Sequence, residues 1–242
     1  MKLLRFALDM CGFAYARITT QLWSAIAYLR LWAHGAQVGR GLRVRGALRL
    51  HCHRTARIRI GDGCRIHSGF GNPVGSHARM TLWVGPQGSL TLGNRVGLSN
   101  STIVCMDAVS IGDDALVGGD CKIYDTDFHS VRAADRSRPG NPGTRTSPVA
   151  ISRQVFVGGH SVLLKGVSIG EGAVIGAGSV VRAPVPPGQL WIGNPARWFR
   201  DLPSQEAGAL RREAAEREEV GEGDSVPEAE TSIPAEQSER TA

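Results

Sequence analysis

The sequence predicts an all-β protein whose body is a left-handed parallel β-helix, with a helical segment before it and a disordered acidic tail after it. An aliphatic residue recurs at every sixth position, and a small or β-branched residue lies two positions before each one. The aliphatic residues are Ile151, Val157, Leu163, Ile169, Ile175 and Val181, and those before them are Val149, Val155, Ser161, Val167, Ala173 and Ser179. Helices repeat every three to four residues and ordinary strands every two. A period of six indicates a solenoid with one short strand and one corner per six residues.

Three such units make one coil of about 18 residues, so residues that far apart stack on each other. Glycine follows the aliphatic position at Gly158, Gly170 and Gly176, where we expect tight corners that need a permissive backbone. The 31 glycines and the low aromatic content of 6% also suit a corner-rich solenoid.

Residues 1–35 are predicted to form one or two helices, and two roles for this segment stay open. The helix could cap the open end of the solenoid. It could instead rest on a membrane surface, since Trp23, Tyr28 and Trp32 accompany several arginines in residues 1–34. Arg17 and Arg30 divide the apolar stretch, so a spanning helix is not expected.

The β-helix is predicted over residues 36–200. Its first coils are irregular, and residues 69–79 break the pattern as a glycine-rich loop. Cys64 and Cys121 occupy the small inward position and are expected to be core thiols. The five cysteines show no metal-ligand spacing, and an odd count without a secretion signal favours a cytoplasmic location.

A second, longer loop is predicted at residues 130–148, directly after the segment DTDFH. His129 lies where the coil gives way to this loop, and Asp125 and Asp127 flank it. Carboxylates can orient an imidazole and raise its basicity, so His129 is a candidate general base with Asp127 as its partner.

Charge is divided unevenly along the chain. Residues 1–200 carry 24 Lys and Arg against 10 Asp and Glu, whereas residues 201–242 carry 4 against 12. The arginines of the basic part are scattered without interleaved aromatic residues, which argues against a nucleic-acid partner. The final segment begins with a stretch that favours a helix and ends as an acidic tail expected to be disordered.

These motifs resemble the hexapeptide-repeat acyltransferases of the galactoside and maltose acetyltransferase type. The resemblance covers about residues 61–200, and includes DTDFH, the coil SPVAISRQVFVGG and the closing segments GAGSVV and IGNPARWFR. The segments GNPVG and DTDFH resemble in particular a branch that acts in polysaccharide biosynthesis.

The resemblance implies an O-acetyltransferase in which His129 deprotonates a sugar hydroxyl that attacks acetyl-CoA directly. It also implies a homotrimer with acetyl-CoA bound between neighbouring subunits and a sugar or glycolipid acceptor. Positions that match cofactor contacts in the family are Gly159, Ala177, Arg197 and Arg200. From spacing alone, Gly159 and Ala177 could equally be small residues at ordinary corners, and the two arginines a solvated basic end.

The acceptor site departs from the pattern of the galactoside enzymes. Their acceptor-binding asparagine falls on Leu98 here, and Asn100 lies two residues away. We take Asn100 and Asp125 as candidate acceptor contacts. A zinc hydrolyase on the same fold would need two histidines five residues apart, a spacing that does not occur. We expect no metal, and a non-catalytic scaffold or binding module remains the alternative function. Contact with the inner face of the membrane also stays open.

Overall fold

The computed structural model describes residues 2–69, 72, 78–140 and 142–203, with side chains from Tyr15 onward. These residues fall in the first of two structural units, Met1–Ala207, and the second, Gly208–Ala242, lies outside them. The predicted disordered tail therefore lies outside the described residues.

The body is a left-handed parallel β-helix, as predicted, with three sheets that the chain visits in turn. Sheet A contains β1 (Gln37–Val38), β4 (Arg57–Ile60), β7 (Ser89–Leu92), β10 (Ala108–Ile111), β13 (Val149–Ile151) and β16 (Ser168–Ile169). Sheet B contains β2 (Arg43–Arg45), β5 (Arg65–His67), β8 (Gly97–Ser99), β11 (Leu116–Val117), β14 (Phe156–Val157), β17 (Val174–Ile175), β19 (Gln189–Gly193) and β20 (Ala196–Asp201). Sheet C contains β3 (Arg49–Cys52), β6 (Thr81–Val84), β9 (Thr102–Cys105), β12 (Lys122–Tyr124), β15 (Val162–Leu163) and β18 (Val180–Val181).

The strand register confirms the period of the last coils. Ile151 pairs with Ile169, and Leu163 pairs with Val181, so residues 18 apart stack. All six aliphatic positions and all six small positions of this region are buried. The hydroxyls of Ser161 and Ser179 donate to the carbonyls of Gly158 and Gly176, which satisfies polar groups inside the core. Cys64 and Cys121 are fully buried, as expected.

The corner glycines serve a different purpose from the one expected. Gly158 and Gly176 do not adopt positive φ values; the neighbouring Gly166, Gly172 and Gly178 do. A Cβ at Gly158 would lie 2.6 Å from the backbone nitrogen of Ala177 in the next coil. Glycine is therefore needed there because two coils approach closely.

A single helix, α1 (Lys2–Ala33), precedes the coils. Within α1, Ala27 and Leu31 are buried in the hydrophobic core. The Ser24 hydroxyl accepts a hydrogen bond of 2.8 Å from the Val44 amide, and the Arg30 side chain donates to the Leu48 carbonyl at 2.9 Å. This face of α1 thus covers the first coil. Among the described residues, no helix combines the length and apolarity needed to cross a bilayer.

Candidate active site

The chain leaves the β-helix after β12 through a short antiparallel neck. Thr126 forms a bridge with Thr146, and the Asp127 amide donates to the Arg145 carbonyl at 3.1 Å. The two ends of the predicted loop are therefore held together where they meet the solenoid, so that the residues just beyond the neck have a fixed base.

His129 lies at the end of a tight turn centred on Phe128. Its amide donates to the Asp127 carbonyl at 2.7 Å, and Phe128 has a φ of 62°. A bond across three residues with a positive central φ is the mark of the rarer, strained γ-turn. The turn leaves the His129 side chain exposed. A strained backbone that presents a polar side chain is a reason to examine the position for function.

An ion pair with the next coil fixes the first residue of this turn. Lys165 Nζ lies 2.8 Å from Asp127 Oδ1, and each side chain is only about 30% exposed. Solvent screens such a partly buried pair less than a surface pair. Sequence reasoning missed Lys165 because only the pairing of Ile123 with Leu163 brings its corner over the start of the loop.

Hydrogen bonds to the Asp135 carboxylate and to backbone carbonyls hold the loop beyond His129 together. The Ser130 hydroxyl donates to Asp135 at 3.0 Å, and Arg136 donates to the carbonyls of Ser130 and Val131, at 3.0 Å each. Asp135 and Arg136 lie in the short helix α2 (Ala133–Arg136). The loop thus supports the His129 turn from its C-terminal side.

The expectation that Asn100 and Asp125 contact the acceptor is not supported by where they lie. Both are fully buried in the protomer. Asp125 accepts bonds of 2.8–2.9 Å from the amides of Met106 and Asp107, and burial raises the pKa of its carboxyl. Asn100 accepts a bond of 2.9 Å from the Gly69 amide. Both side chains therefore organise backbone turns, because a polar residue at a corner can turn inward to bind amides of the adjacent coil.

Replacing Asp125 with alanine is expected to lower the free energy of unfolding by about 1–3 kcal/mol for each amide left without its acceptor. Asp125→Asn keeps one side-chain oxygen and should lose less. Chemical denaturation of both variants checks this. An unchanged unfolding midpoint for Asp125→Ala would remove the structural role and reopen the acceptor role.

The two small residues predicted to contact the cofactor stack at one corner, between sheets B and C. The Gly178 amide donates to the Gly159 carbonyl at 2.9 Å, which places Ala177 directly next to Gly159 in the following coil. Gly159 is half-buried and Ala177 is exposed. The side chains at this corner are therefore small and partly exposed, as they would also be at a corner without a ligand.

A β-bulge brings the two predicted arginines to one side of the hairpin β19–β20. Simple alternation would place residues three apart on opposite faces. The register shifts between Leu190 and Trp191, so Leu190 pairs with Arg200 while Ile192 pairs with Arg197. Leu190 and Ile192 share a face, and the arginines opposite them share it too. Both arginines are therefore exposed on the outer face of sheet B, where Arg197 Nη1 donates to the Ala196 carbonyl at 3.1 Å.

Candidate base and candidate cofactor positions lie at different corners of the same coils. His129 follows β12, where the chain passes from sheet C to sheet A, whereas Gly159 and Ala177 lie between sheets B and C. Sheet C separates the two corners within one protomer.

Aromatic side chains on sheet C and in the His129 turn were also missed by sequence reasoning. Tyr124 and Phe128 pack edge to face with ring centroids 5.0 Å apart, and His51 and Trp83 lie 6.0 Å apart in a tilted arrangement. Only the strand register shows that His51, Trp83 and Tyr124 lie on the same face of sheet C. Among the described residues, no group of three or more His, Cys, Asp or Glu side chains could hold a metal ion.

Parts of this chain are similar in sequence to known proteins. Residues 148–183 match the family model described as Bacterial transferase hexapeptide (six repeats). A Staphylococcus aureus protein provisionally named as an acetyltransferase is 48% identical over 65 residues, which cover 25% of this chain and 33% of that protein. Galactoside O-acetyltransferase of Escherichia coli is 32% identical over 127 residues, 50% of this chain and 61% of the enzyme. The chain thus spans between a third and three-fifths of these curated relatives.

A solved structure extends the likeness in fold. AntD, an N-acyltransferase from Bacillus cereus in complex with dTDP and 3-hydroxybutyryl-CoA, superposes with a TM-score of 0.58 at 18% identity, over 76% of this chain and 91% of that one. At this identity the likeness concerns the fold. The β-helix, the hexapeptide repeat matched at residues 148–183 and these relatives together make this chain similar to acyltransferases built on the same solenoid.

Proposed function

We propose that this protein is an acyl-CoA-dependent O-acyltransferase that moves an acetyl group from acetyl-CoA to a sugar hydroxyl during assembly of a cell-surface polysaccharide. The observation that carries the proposal is the exposed His129, presented by a strained turn whose first residue is fixed by Lys165.

In the proposed reaction His129 acts as general base. A ring nitrogen takes the proton of the acceptor hydroxyl as its oxygen attacks the thioester carbonyl. The C–O bond forms, the C–S bond breaks, and the proton passes from the imidazolium to the thiolate of CoA. Imidazole suits both steps because its ordinary pKa lies near neutral pH. Asp127 acts as a positioning residue, since its backbone carbonyl binds the His129 amide.

The residues expected to hold the acyl donor suit its chemistry. The exposed corner at Gly159 and Ala177 leaves room for the extended pantetheine arm beside accessible backbone. Arg197 and Arg200 share a face of sheet B, and guanidinium groups bind phosphate through two parallel hydrogen bonds. Galactoside O-acetyltransferase, the Escherichia coli relative, supports acetyl as the transferred group.

We further propose a homotrimer in which one protomer supplies His129 and its neighbour supplies the Ala177 corner. The separation of these corners in a single chain supports this arrangement. The outer face of sheet B offers a surface for the neighbour, because Leu116 and Phe156 stack there and remain 41% and 46% exposed. An apolar column of this kind on a solenoid face suits contact between copies.

The proposed function is tested by incubating the full chain with acetyl-CoA and a panel of nucleotide sugars and glycolipids, followed by mass spectrometry. An acetyl ester that hydroxylamine removes is the expected product, whereas a hydroxylamine-stable product would indicate an amide. Binding of CoA without turnover on any acceptor would favour the alternative, a non-catalytic binding module.

A second face of α1 supports the proposal of membrane contact. Large apolar residues on this face remain 49–71% exposed: Tyr15, Ile18, Leu22, Tyr28, Leu29 and Trp32. The adjoining residues 36–69 contain eight arginines and one acidic residue, Asp62. Residues 15–33 contain arginine but no acid, so a parallel copy of α1 would bring like charges together. An anionic lipid surface complements both the apolar and the basic groups.

The double variant Leu22→Ser/Trp32→Ser is expected to lose at least roughly tenfold in binding to vesicles that contain phosphatidylglycerol. Val131→Ser, which changes an apolar residue that is 87% exposed elsewhere, is the matched control. Co-sedimentation measures the difference. Equal binding by both variants, or a smaller oligomer in the double variant with no vesicle binding by wild type, would contradict the membrane assignment.

A further inference from the structure

The outer face of sheet C carries a column of aromatic residues that leads to His129. The register pairs His51 with Trp83, Trp83 with Val104, and Val104 with Tyr124 on consecutive coils. Paired residues of parallel strands point to the same side of a sheet. These four side chains therefore form one outward column, and the edge-to-face contact of Tyr124 with Phe128 extends it into the γ-turn.

This column differs in character from the outward column beside it. The neighbouring positions Thr81, Thr102 and Lys122 are polar, as expected for a solvated face. In the aromatic column Trp83 is 48% exposed and Phe128 36% exposed, while Val104 between the rings is 2% exposed. The rings thus present open edges and faces on a continuous apolar base.

The position of Phe128 links the column to the candidate base. Phe128 is the residue immediately before His129 and the centre of the strained turn. A positive φ is unfavourable for a bulky residue, which adopts it only where its surroundings hold it there. The contact with the Tyr124 ring supplies part of that restraint. The column therefore ends at the residue that precedes His129 in the turn.

We propose that Trp83, Tyr124 and Phe128 form an acceptor subsite that binds the apolar face of a sugar ring. Sites for small molecules combine apolar and aromatic walls with a few polar groups that fix orientation. Here His51 and Lys122 lie at the margin of the column and can bind hydroxyl groups. A pyranose ring matches this arrangement because its C–H face is apolar and its rim is polar. The inference rests on the proposed function for the reaction at His129, but the binding itself does not require turnover.

Binding is measured first, by isothermal titration calorimetry of the full chain with methyl β-galactopyranoside, methyl α-glucopyranoside, N-acetylglucosamine and UMP, because this readout does not depend on Trp83 as a fluorophore. We expect a heat of sugar binding in wild type that is lost in Trp83→Ala and retained in Trp83→Phe. Trp32→Ala, which removes an exposed tryptophan on α1, is the matched control and should keep the signal. No response to any sugar, or a Trp83-dependent response to UMP alone, would overturn the subsite.

Turnover is measured second, with the best acceptor from the panel. Trp83→Ala should raise the KM for the acceptor at least tenfold and leave the KM for acetyl-CoA unchanged. Trp83→Phe should recover most of that loss, since it restores an aromatic face. Wild-type acceptor KM in Trp83→Ala would sink the subsite while the acyltransferase proposal stands. Sugar binding through Trp83 without any transfer by wild type would instead sink the acyltransferase proposal and leave the subsite intact.

Discussion

Replacement of His129 by alanine is expected to reduce acetyl transfer by roughly 10²–10⁴-fold, the range that a positioned general base contributes. The acceptor hydroxyl would then have to lose its proton to water during attack. The turn itself should survive, because its hydrogen bond joins the His129 amide to the Asp127 carbonyl and does not involve the imidazole. Steady-state kinetics with the best acceptor of the mass spectrometry panel measures the effect.

Two controls make this result specific. His53→Ala removes another exposed histidine, whose ring bonds Thr55 in an early coil, and should leave the rate unchanged. CoA affinity of His129→Ala should equal that of wild type, since the proposed donor contacts lie at another corner. Transfer by His129→Ala at the wild-type rate would exclude His129 as the base.

Replacement of Ala177 by phenylalanine is expected to raise the Kd for CoA by roughly tenfold or more. The added ring would fill the exposed corner beside Gly159 that we propose for the pantetheine arm. Folding should be preserved because the side chain points outward. Isothermal titration with CoA measures this loss.

Ala150→Phe is the matched control for this substitution. Ala150 is also exposed, but it lies on the outer face of sheet A. It reports what an added phenyl ring does on an exposed face away from the proposed groove. Equal CoA affinity of the two variants would place the donor elsewhere on the solenoid.

The late coils could be predicted from the sequence because every position there obeys one local rule. Residues 151–181 alternate aliphatic, small and corner positions without insertion, and the structure stacks them as expected. The first coils are less regular: Val44 pairs with Ile66, and Leu50 pairs with Leu82. Only the folded register shows which early residues share a side.

The residues of the candidate site differ in the same way: some are recognisable from the local sequence and others only from the folded register. His129 was accessible to sequence reasoning because it lies where the period stops, next to carboxylates. Lys165 and Trp83 were not, since each acts through a neighbour on another coil. Asp125 shows the opposite difficulty: a carboxylate at a corner can face solvent or turn inward, and two amides from the adjacent coil decide the outcome here.

The most direct test of a site shared between protomers is to mix His129→Ala chains with Ala177→Phe chains after reversible dissociation. At acetyl-CoA concentrations far below the Kd, His129→Ala chains alone should be nearly inactive, and Ala177→Phe chains alone should keep at most about a tenth of wild-type activity. In a mixed trimer one interface joins an intact His129 to an intact Ala177 corner, so an equal mixture should recover about a quarter of wild-type activity. A mixture that stays as inactive as its separate components, although heterotrimers form, would contradict the shared site.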